Sequence, residues 1–334
     1  MNILVTSVGR RAYLVKYFKE ALGDDGQVHA SNSSDLTIAF QYADKCTITP
    51  PIFDCNYISF LVDYCANNKI SAILSLFDID LLVISENKDR FEEVGTRVIL
   101  SDSNFIRICN DKWRTQEYLR ANGFFTPKTY ITPQDTLDAI RLGEMSYPVM
   151  VKPRFGCGSI ATLSAKNETE LCCFYDYVTR EISSSYLKFE SAKTSNKVIF
   201  QEVLGGQEYG VDIINDLTGA FRSTIIRKKI AMRAGETDIA EIVENEPIYC
   251  TTKKLGEITG HIGNVDSDIF LVDGDPYILE MNARFGGGYP FSHAAGCNLP
   301  KAIIKWAANQ IVPLSLLTAT PGIIAFKDLI IAQR

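Results

Sequence analysis

The chain has 334 residues, enough for roughly two to three lobes of ~100–200 residues each. Hydrophobic residues make up 46% and charged residues 22%, with no low-complexity tract, which argues against a disordered chain. A net charge of −6 repels nucleic acid at long range, and no run approaches ~18 consecutive apolar residues, so neither a nucleic-acid partner nor a membrane span is expected.

Ile3 to Thr6 is a short apolar run and reads as a first strand. The start lacks the basic leader and long apolar core of a signal peptide. Ser7 to Arg11 is a turn, and Ala12 to Leu22 carries Leu14, Val15 and Phe18 at helical spacing. Further strands are expected around Val28 to Ala30, at Ala72 to Leu76 and at Val98 to Leu100. Strands alternating with helices predict an α/β, Rossmann-like parallel sheet, with ligands beyond the carboxyl ends of the strands. That places Ser7, Gly9, Arg10, Arg11, Asp35 and Asp78 beside a substrate crevice; the two arginines suit an anion or a solvated helix start. Asp102 to Glu144 is helical with a break at Thr126-Pro127, and Glu168 to Glu181 is a further helix. Ser183 to Lys197 reads as a loop or frayed helix end. From Val198 onward the pattern is β-rich and hairpin-like, with turns at Asp216 to Gly219 and Asp273 to Asp275. Leu299 to Asn309 reads as a helix and Ile323 to Phe326 as a strand. Nine scattered cysteines contain no CxxC pair, and with three histidines neither a disulfide framework nor a structural zinc site is expected. A thiol-rich chain without a leader is expected in the cytoplasm.

Four segments carry chemistry. Val149 to Pro153 is an apolar strand containing Lys152, followed by Gly156-Cys157-Gly158-Ser159. Glycines let backbone amides approach phosphate oxygens, and the lysine adds a point charge. Gly156-x-Gly158-x-x-Ala161 also matches the dinucleotide fingerprint, but that motif needs a following helix, and Ile160 to Ser164 looks extended. A flap between antiparallel strands is expected instead. Second, the strand Val198 to Glu202 runs into an exposed stretch with Glu208 beyond it, where a backbone can meet an adenine edge and a carboxylate can accept from ribose. Third, Arg227-Lys228-Lys229 through Arg233 and Glu236 is either a solvated face or an anion clamp. Fourth, Asp266 to Val272, the turn at Asp273, and Tyr277 to Gly288 form a hairpin. Glu280 and Asn282 are two apart on a strand and share a face; Asp268 can come alongside, giving an oxygen set suited to Mg²⁺. Arg284 follows on the same side.

These segments in this order resemble the ATP-grasp superfamily, from about Asn104 to Gly296, and within it stand-alone ligases similar to the carbamoyl-phosphate synthase large chain. Leu279 to Phe285 resembles the family's E-x-N-P-R signature, with Ala283 in place of the proline. The resemblance implies a Rossmann-like domain over 1–103 and an ATP-grasp domain over 104–300. The latter divides into a flap subdomain at about 125–200 and a metal-binding subdomain at about 201–300, with 301–334 packing on the core. It implies ATP and Mg²⁺, with Mn²⁺ able to substitute. Lys112, Lys152, Gly156, Gly158 and Ser159 would hold phosphates, Glu202 and Leu204 would flank the adenine, and Glu208 would meet the ribose. Asp268, Glu280 and Asn282 would bind the metal, with the register of Asp268 against Asp266 open. Arg284 and Arg233 would face the γ-phosphate and acyl phosphate. The implied activity is ATP-dependent carboxylate–amine ligation, with an amino acid or sugar acid as one substrate. Alternatives are a bicarbonate-using carboxylase or carbamoyl-forming enzyme and a non-catalytic nucleotide-binding regulator. A homodimer is a family-level expectation.

Overall fold

A computed structural model describes residues 1–329 and 331; of the C-terminal segment 301–334, residues 330 and 332–334 lie outside the described residues. The alternating pattern at the start produces β1 (Asn2–Thr6), α1 (Ala12–Leu22), β2 (Gln27–Asn32), β3 (Lys45–Ile48), α2 (Tyr57–Asn67), β4 (Ile70–Ser75), α3 (Asp78–Ser85), α4 (Lys88–Glu93) and β5 (Arg97–Val98). The five strands pair in parallel in the order β3-β2-β1-β4-β5. α1 buries Leu14, Val15, Phe18 and Leu22 as one stripe. The order reverses between β1 and β4, so the crevice lies beyond Thr6 and Ser75. The buried Asp80 ties those ends together. It accepts from Thr6 Oγ1 (2.5 Å), Ser7 Oγ (2.8 Å), Ser75 Oγ (2.7 Å) and Tyr57 OH (2.6 Å). Four hydroxyl donors satisfy a carboxylate that has no cation partner among the described residues.

α5 (Ser103–Asn110) and α6 (Lys112–Ala121) follow, N-capped by Asp102 and Asp111. Then come β6 (Thr129–Tyr130), α7 (Pro133–Arg141), β7 (Val149–Pro153), β8 (Leu163–Ala165), α8 (Glu168–Ser184), α9 (Leu187–Ser191) and β9 (Val198–Glu202). Their antiparallel sheet has the order β6-β9-β7-β8. The glycine turn after β7 leads into strand β8, not a helix; Ile160 and Ala161 still belong to the turn, and the extended stretch begins at Leu163. α9 lies where a loop or frayed end is expected.

The last sheet has six strands: β10 (Gln207–Asn215), β11 (Phe221–Arg233), β12 (Glu236–Val243), β13 (Gly263–Val272), β14 (Asp275–Asn282) and β15 (Ile324–Phe326), in the order β14-β13-β10-β11-β12-β15. α10 (Glu246–Thr259), α11 (Tyr289–Ala294) and α12 (Leu299–Ala307) complete it. Asp273 and Gly274, at φ 52° and 93°, form the two-residue β13–β14 turn that sets the register. β3, β12 and α10 are absent from the sequence reading. No helix among the described residues is long and apolar enough to cross a membrane.

Three apolar cores result. One joins Leu4 and Ile73 of the parallel sheet and Leu61 of α2 to Tyr209, Val211 and Ile278 of the six-stranded sheet. A second joins Ile3, Val5 and Phe18 to Ile214, Ile225 and Phe285. The third, with Val149, Leu171, Val178 and Phe200, draws its buried members from residues 137–200 alone.

His261 lies within the first interface. Its Nε2 donates to Ile213 O (3.0 Å), so Nδ1 accepts from Thr259 Oγ1 (2.8 Å). Burial lowers its pKa from 6.5 to about 4. The unfolded chain therefore binds the proton first as pH falls. Stability is full above the unfolded value and declines between pH 6.5 and 4, by about 3 kcal/mol from this group at ~1.36 kcal/mol per unit. Denaturant unfolding at pH 7 and pH 4.5 checks this: His261→Gln is expected to flatten the dependence, and an unchanged slope would contradict it.

Candidate active site

β7, β9, β11, β13 and β14 converge on a cavity of about 350 Å³ between the four-stranded and six-stranded sheets. Lys112, Lys152, Gly156, Gly158, Ser159, Glu202, Leu204, Glu208, Asp268 and Glu280 all line it. An adjoining inner lobe of about 200 Å³ shares Gly158, Lys229, Asp268 and Glu280 and adds Arg11, Arg227, Asp266, Asn282 and Arg284.

Lys152 is buried, and its Nζ donates to Gln201 Oε1 (2.7 Å), itself fixed by Gln201 Nε2 donating to Thr129 Oγ1 (2.9 Å). Burial lowers its pKa to about 8, with Glu280 opposing the shift and Lys112 adding to it. Lys112 donates its Nζ to Gly156 O. A second link lies beside it. Arg154 donates Nε and Nη2 to the two Asp111 carboxylate oxygens, both at 2.7 Å, and Lys112 N donates to Arg154 O at 3.0 Å. The cap of α6 and the strand carrying Lys152 are thereby locked together, with both ammonium groups at one end of the cavity. Neither lysine has a carboxylate within ion-pair distance among the described residues, which leaves both charges free for an anion.

The opposite wall is acidic. Asp268 stands opposite Glu280, and Asp266 opposite Asn282, across the β13–β14 pair. All four share one face, so both aspartates are inward and the register choice is one of partners. Asp268 Oδ1 lies 2.6 Å from Lys229 Nζ, and Glu208 Oε1 lies 2.6 Å from the same atom. Burial works against the Lys229 charge, but the two carboxylates outweigh it and raise its pKa. Asp266 accepts from Arg227 Nη2 (3.0 Å). Burial, then Asp268, lifts the Asp266 pKa to about 6 in spite of Arg227. Gly286 packs directly on this group: a Cβ there would fall 2.0 Å from Asp266 Cγ, so glycine is required.

Two carboxylates and an amide on one face, beside two free lysines, fit a Mg²⁺ that also takes phosphate oxygens. Among the described residues no group of three or more His, Cys, Asp or Glu side chains forms a metal site by itself.

Beneath lies a buried ionic layer that sequence reasoning missed. Arg227 is 2% exposed; its Nη1 bonds Asp212 Oδ2 and donates to Ser292 Oγ (2.8 Å). Asp212 also accepts from Ser292 Oγ (2.6 Å) and Asn264 Nδ2 (2.9 Å). Arg284 pairs with Asp78 across the domains, Nε to Oδ1 at 2.8 Å and Nη2 to Oδ2 at 2.9 Å. Alternation along β11 is the signal available for Arg227 and Lys229, which are two apart and point inward.

Not every expected residue joins the cavity. Arg233 lies at the end of β11, 46% exposed, 2.5 Å from Asp238 Oδ1, and lines neither lobe. Bulges at 229–231 and 231–232 turn the strand before it arrives there, which corrects the expectation that Arg233 faces the γ-phosphate. Glu202 is at the cavity, but its Oε1 accepts from Lys128 N (2.6 Å), closing the β6–β9 edge. His293 stacks on Tyr17 at 3.6 Å and lines neither lobe.

A four-stranded sheet and a carboxylate-lined six-stranded sheet thus enclose a cavity with two lysines at one end, built on a parallel-sheet domain. The chain belongs to the ATP-grasp family: residues 109–288 match the description "ATP-grasp domain", and residues 3–99 match "PylC-like, N-terminal domain". Ligases are among the proteins it resembles. Similar proteins include the carbamoyl phosphate synthase large chain of Mesorhizobium japonicum, 23% identical over 72% of this chain and 23% of that protein. The chain thus spans about a quarter of that relative's length. The D-alanine–D-alanine ligase A of Bacillus cereus is 22% identical over 68% of this chain and 77% of that protein. Among solved structures, the biotin carboxylase domain of the Hydrogenobacter thermophilus 2-oxoglutarate carboxylase, in complex with MgADP and bicarbonate, superposes with a TM-score of 0.70 at 20% identity, covering 93% of this chain and 70% of that one.

Proposed function

We propose that the protein uses ATP to activate a small carboxylate as an acyl phosphate and passes the acyl group to an amine, forming an amide with release of ADP and phosphate. The observation that carries this reading is the pairing of two unneutralised lysines with the in-register Asp268, Glu280 and Asn282 across one cavity. In this reading Lys112 and Lys152 position the phosphates, and the loop Gly156, Gly158 and Ser159 closes over them. The backbone of Glu202 and Leu204 meets the adenine, and Glu208 meets the ribose. Asp268, Glu280 and Asn282 hold Mg²⁺, which supplies neutralisation of phosphate charge. Arg284, paired with and oriented by Asp78, lies beside the transferred group. Closure of the flap keeps water from the activated acid.

Incubation of the protein with Mg·ATP and pools of amino acids, sugar acids and amines tests this, with ADP release and product mass as readouts. ADP release requiring one acid and one amine, with a new mass equal to their sum less water, is expected. Release driven by bicarbonate alone would replace this reading with a carboxylase or carbamoyl-forming one. Tight ATP binding with no stimulation by any pool would favour a regulator.

A further inference from the structure

The inner lobe contains four cations, Arg11, Arg227, Lys229 and Arg284. Three are matched: Arg227 with Asp212 and Asp266, Lys229 with Glu208 and Asp268, and Arg284 with Asp78. Arg11 is not. Among the described residues no carboxylate lies within ion-pair distance of it, whereas Arg10, its neighbour, is exposed at the surface. Arg11 Nη1 donates to two backbone carbonyls, Leu76 O at the end of β4 (2.7 Å) and Phe285 O beyond β14 (2.6 Å). One nitrogen is thus used to fix the guanidinium across the domain boundary. Nε and Nη2 have no protein acceptor among the described residues, and the group lines the cavity.

A second feature sharpens this. Arg284 Nη1 donates to the same Phe285 carbonyl (3.3 Å), so two guanidinium groups meet at one oxygen. Asp78 neutralises one of them. The other, Arg11, is half-buried with Asp78 and Asp266 near it only beyond ion-pair distance, and burial and then Arg284 lower its pKa. A confined, oriented, unmatched guanidinium is costly to the protein alone and is relieved by an anion. The nucleotide phosphates already have Lys112 and Lys152 in the other lobe, so this charge awaits a second anion. The free edge of a planar guanidinium matches a carboxylate through two parallel N–H donors. The lobe's volume of about 200 Å³ is below the ~300 Å³ lower bound of drug-sized pockets, which limits the acid to a small one.

We infer that Arg11 is the carboxylate-binding residue of the inner lobe, and that the substrate held there is a small organic acid. The inference rests on the ligase reading only for the identity of the anion in the other lobe.

Thermal-shift titrations of the full chain in Mg·ADP test it. One probe is a pool of L-alanine, L-lactate, L-glutamate and D-glucuronate; the other is the pool of their primary amides. Wild-type protein is expected to respond to the acids and not the amides. Arg11→Gln is expected to weaken the acid response at least about tenfold, the value of a lost charge-assisted pair, with the Mg·ADP response retained as the sign of an intact fold. Arg11→Lys is expected to recover part of the loss. An equal response to amides, an acid response unchanged in Arg11→Gln, or no acid response in wild-type protein would overturn the inference. ADP release is scored separately: its absence with acid binding present rejects the ligase reading and leaves the subsite standing.

Discussion

Glu280→Gln is expected to lower acid- and amine-dependent ADP release by about 10²–10³-fold while leaving the unfolding midpoint unchanged. The Glu280 backbone carbonyl accepts from Ser267 Oγ (2.8 Å), but its carboxylate makes no hydrogen bond or ion pair with the protein among the described residues. Removing its charge therefore costs the fold little. It faces Asp268 across β13–β14 and lines both lobes of the cavity, so its charge is available where metal and phosphate would meet. Glutamine keeps the shape and one oxygen but loses the charge that Mg²⁺ binding needs. Activity within a few fold of wild type would reject Glu280 as a metal ligand. A large drop in the midpoint would instead mark it as structural.

The opposite division is expected one layer down. Asp212→Ala should destabilise the protein by ~3–5 kcal/mol, because it leaves the Arg227 charge buried with only Asp266 and Ser292 near it. Ser292 and Asn264 lose an acceptor in the same change. Replacing Asp212 by Leu together with Arg227 by Met removes charge from both sides and is expected to recover part of that loss. Chemical denaturation of the single and double variants provides the comparison. A single-variant cost under about 1 kcal/mol would show that water or Asp266 compensates Arg227, and the ionic layer would not be a structural support.

Much of the site is legible because short local rules apply to it. In β7 and β14 an apolar run meets a charged residue at a strand end, and a two-residue turn after Val272 fixes which residues face each other. Alternation then places Glu280 and Asn282 together without any knowledge of the fold. The Asp78–Arg284 pair is different. Its partners are 206 positions apart, one at the start of α3 and the other just beyond β14, and nothing local in either segment announces the other. Arg227 was open to a finer reading, since Lys228 between it and Lys229 is the outward residue of the alternation. Treating the basic run as one block hid that. α10 also had its signals: Asn245 as cap, Pro247 in the first turn and Gly260 in the left-handed conformation at the end. β12 was harder, because Glu236, Thr237 and Asp238 open it and its apolar residues come in adjacent pairs, Ile239-Ala240 and Ile242-Val243, in place of a clean alternation. Arg233 was misplaced because bulges, which sequence periodicity does not register, rotate the strand ahead of it.

The distribution of the three cores has a mechanical meaning. Two of them bond the parallel sheet to the six-stranded sheet, which makes those parts a single anvil. The third is self-contained, so the part bearing Lys152 and the glycine turn is a jaw with its own stiffness. Swinging it away breaks neither of the anvil's cores. What holds it shut is a thin seam: Phe53 stacked on Phe189 at 4.2 Å, Phe77 against Tyr186 at 5.9 Å, and the Lys112 bond to Gly156. The Asp111–Arg154 pair sits where α6 meets the jaw, and acts as the pivot pin. The acidic wall of β13 and β14 belongs to the anvil, so its geometry does not depend on where the jaw stands.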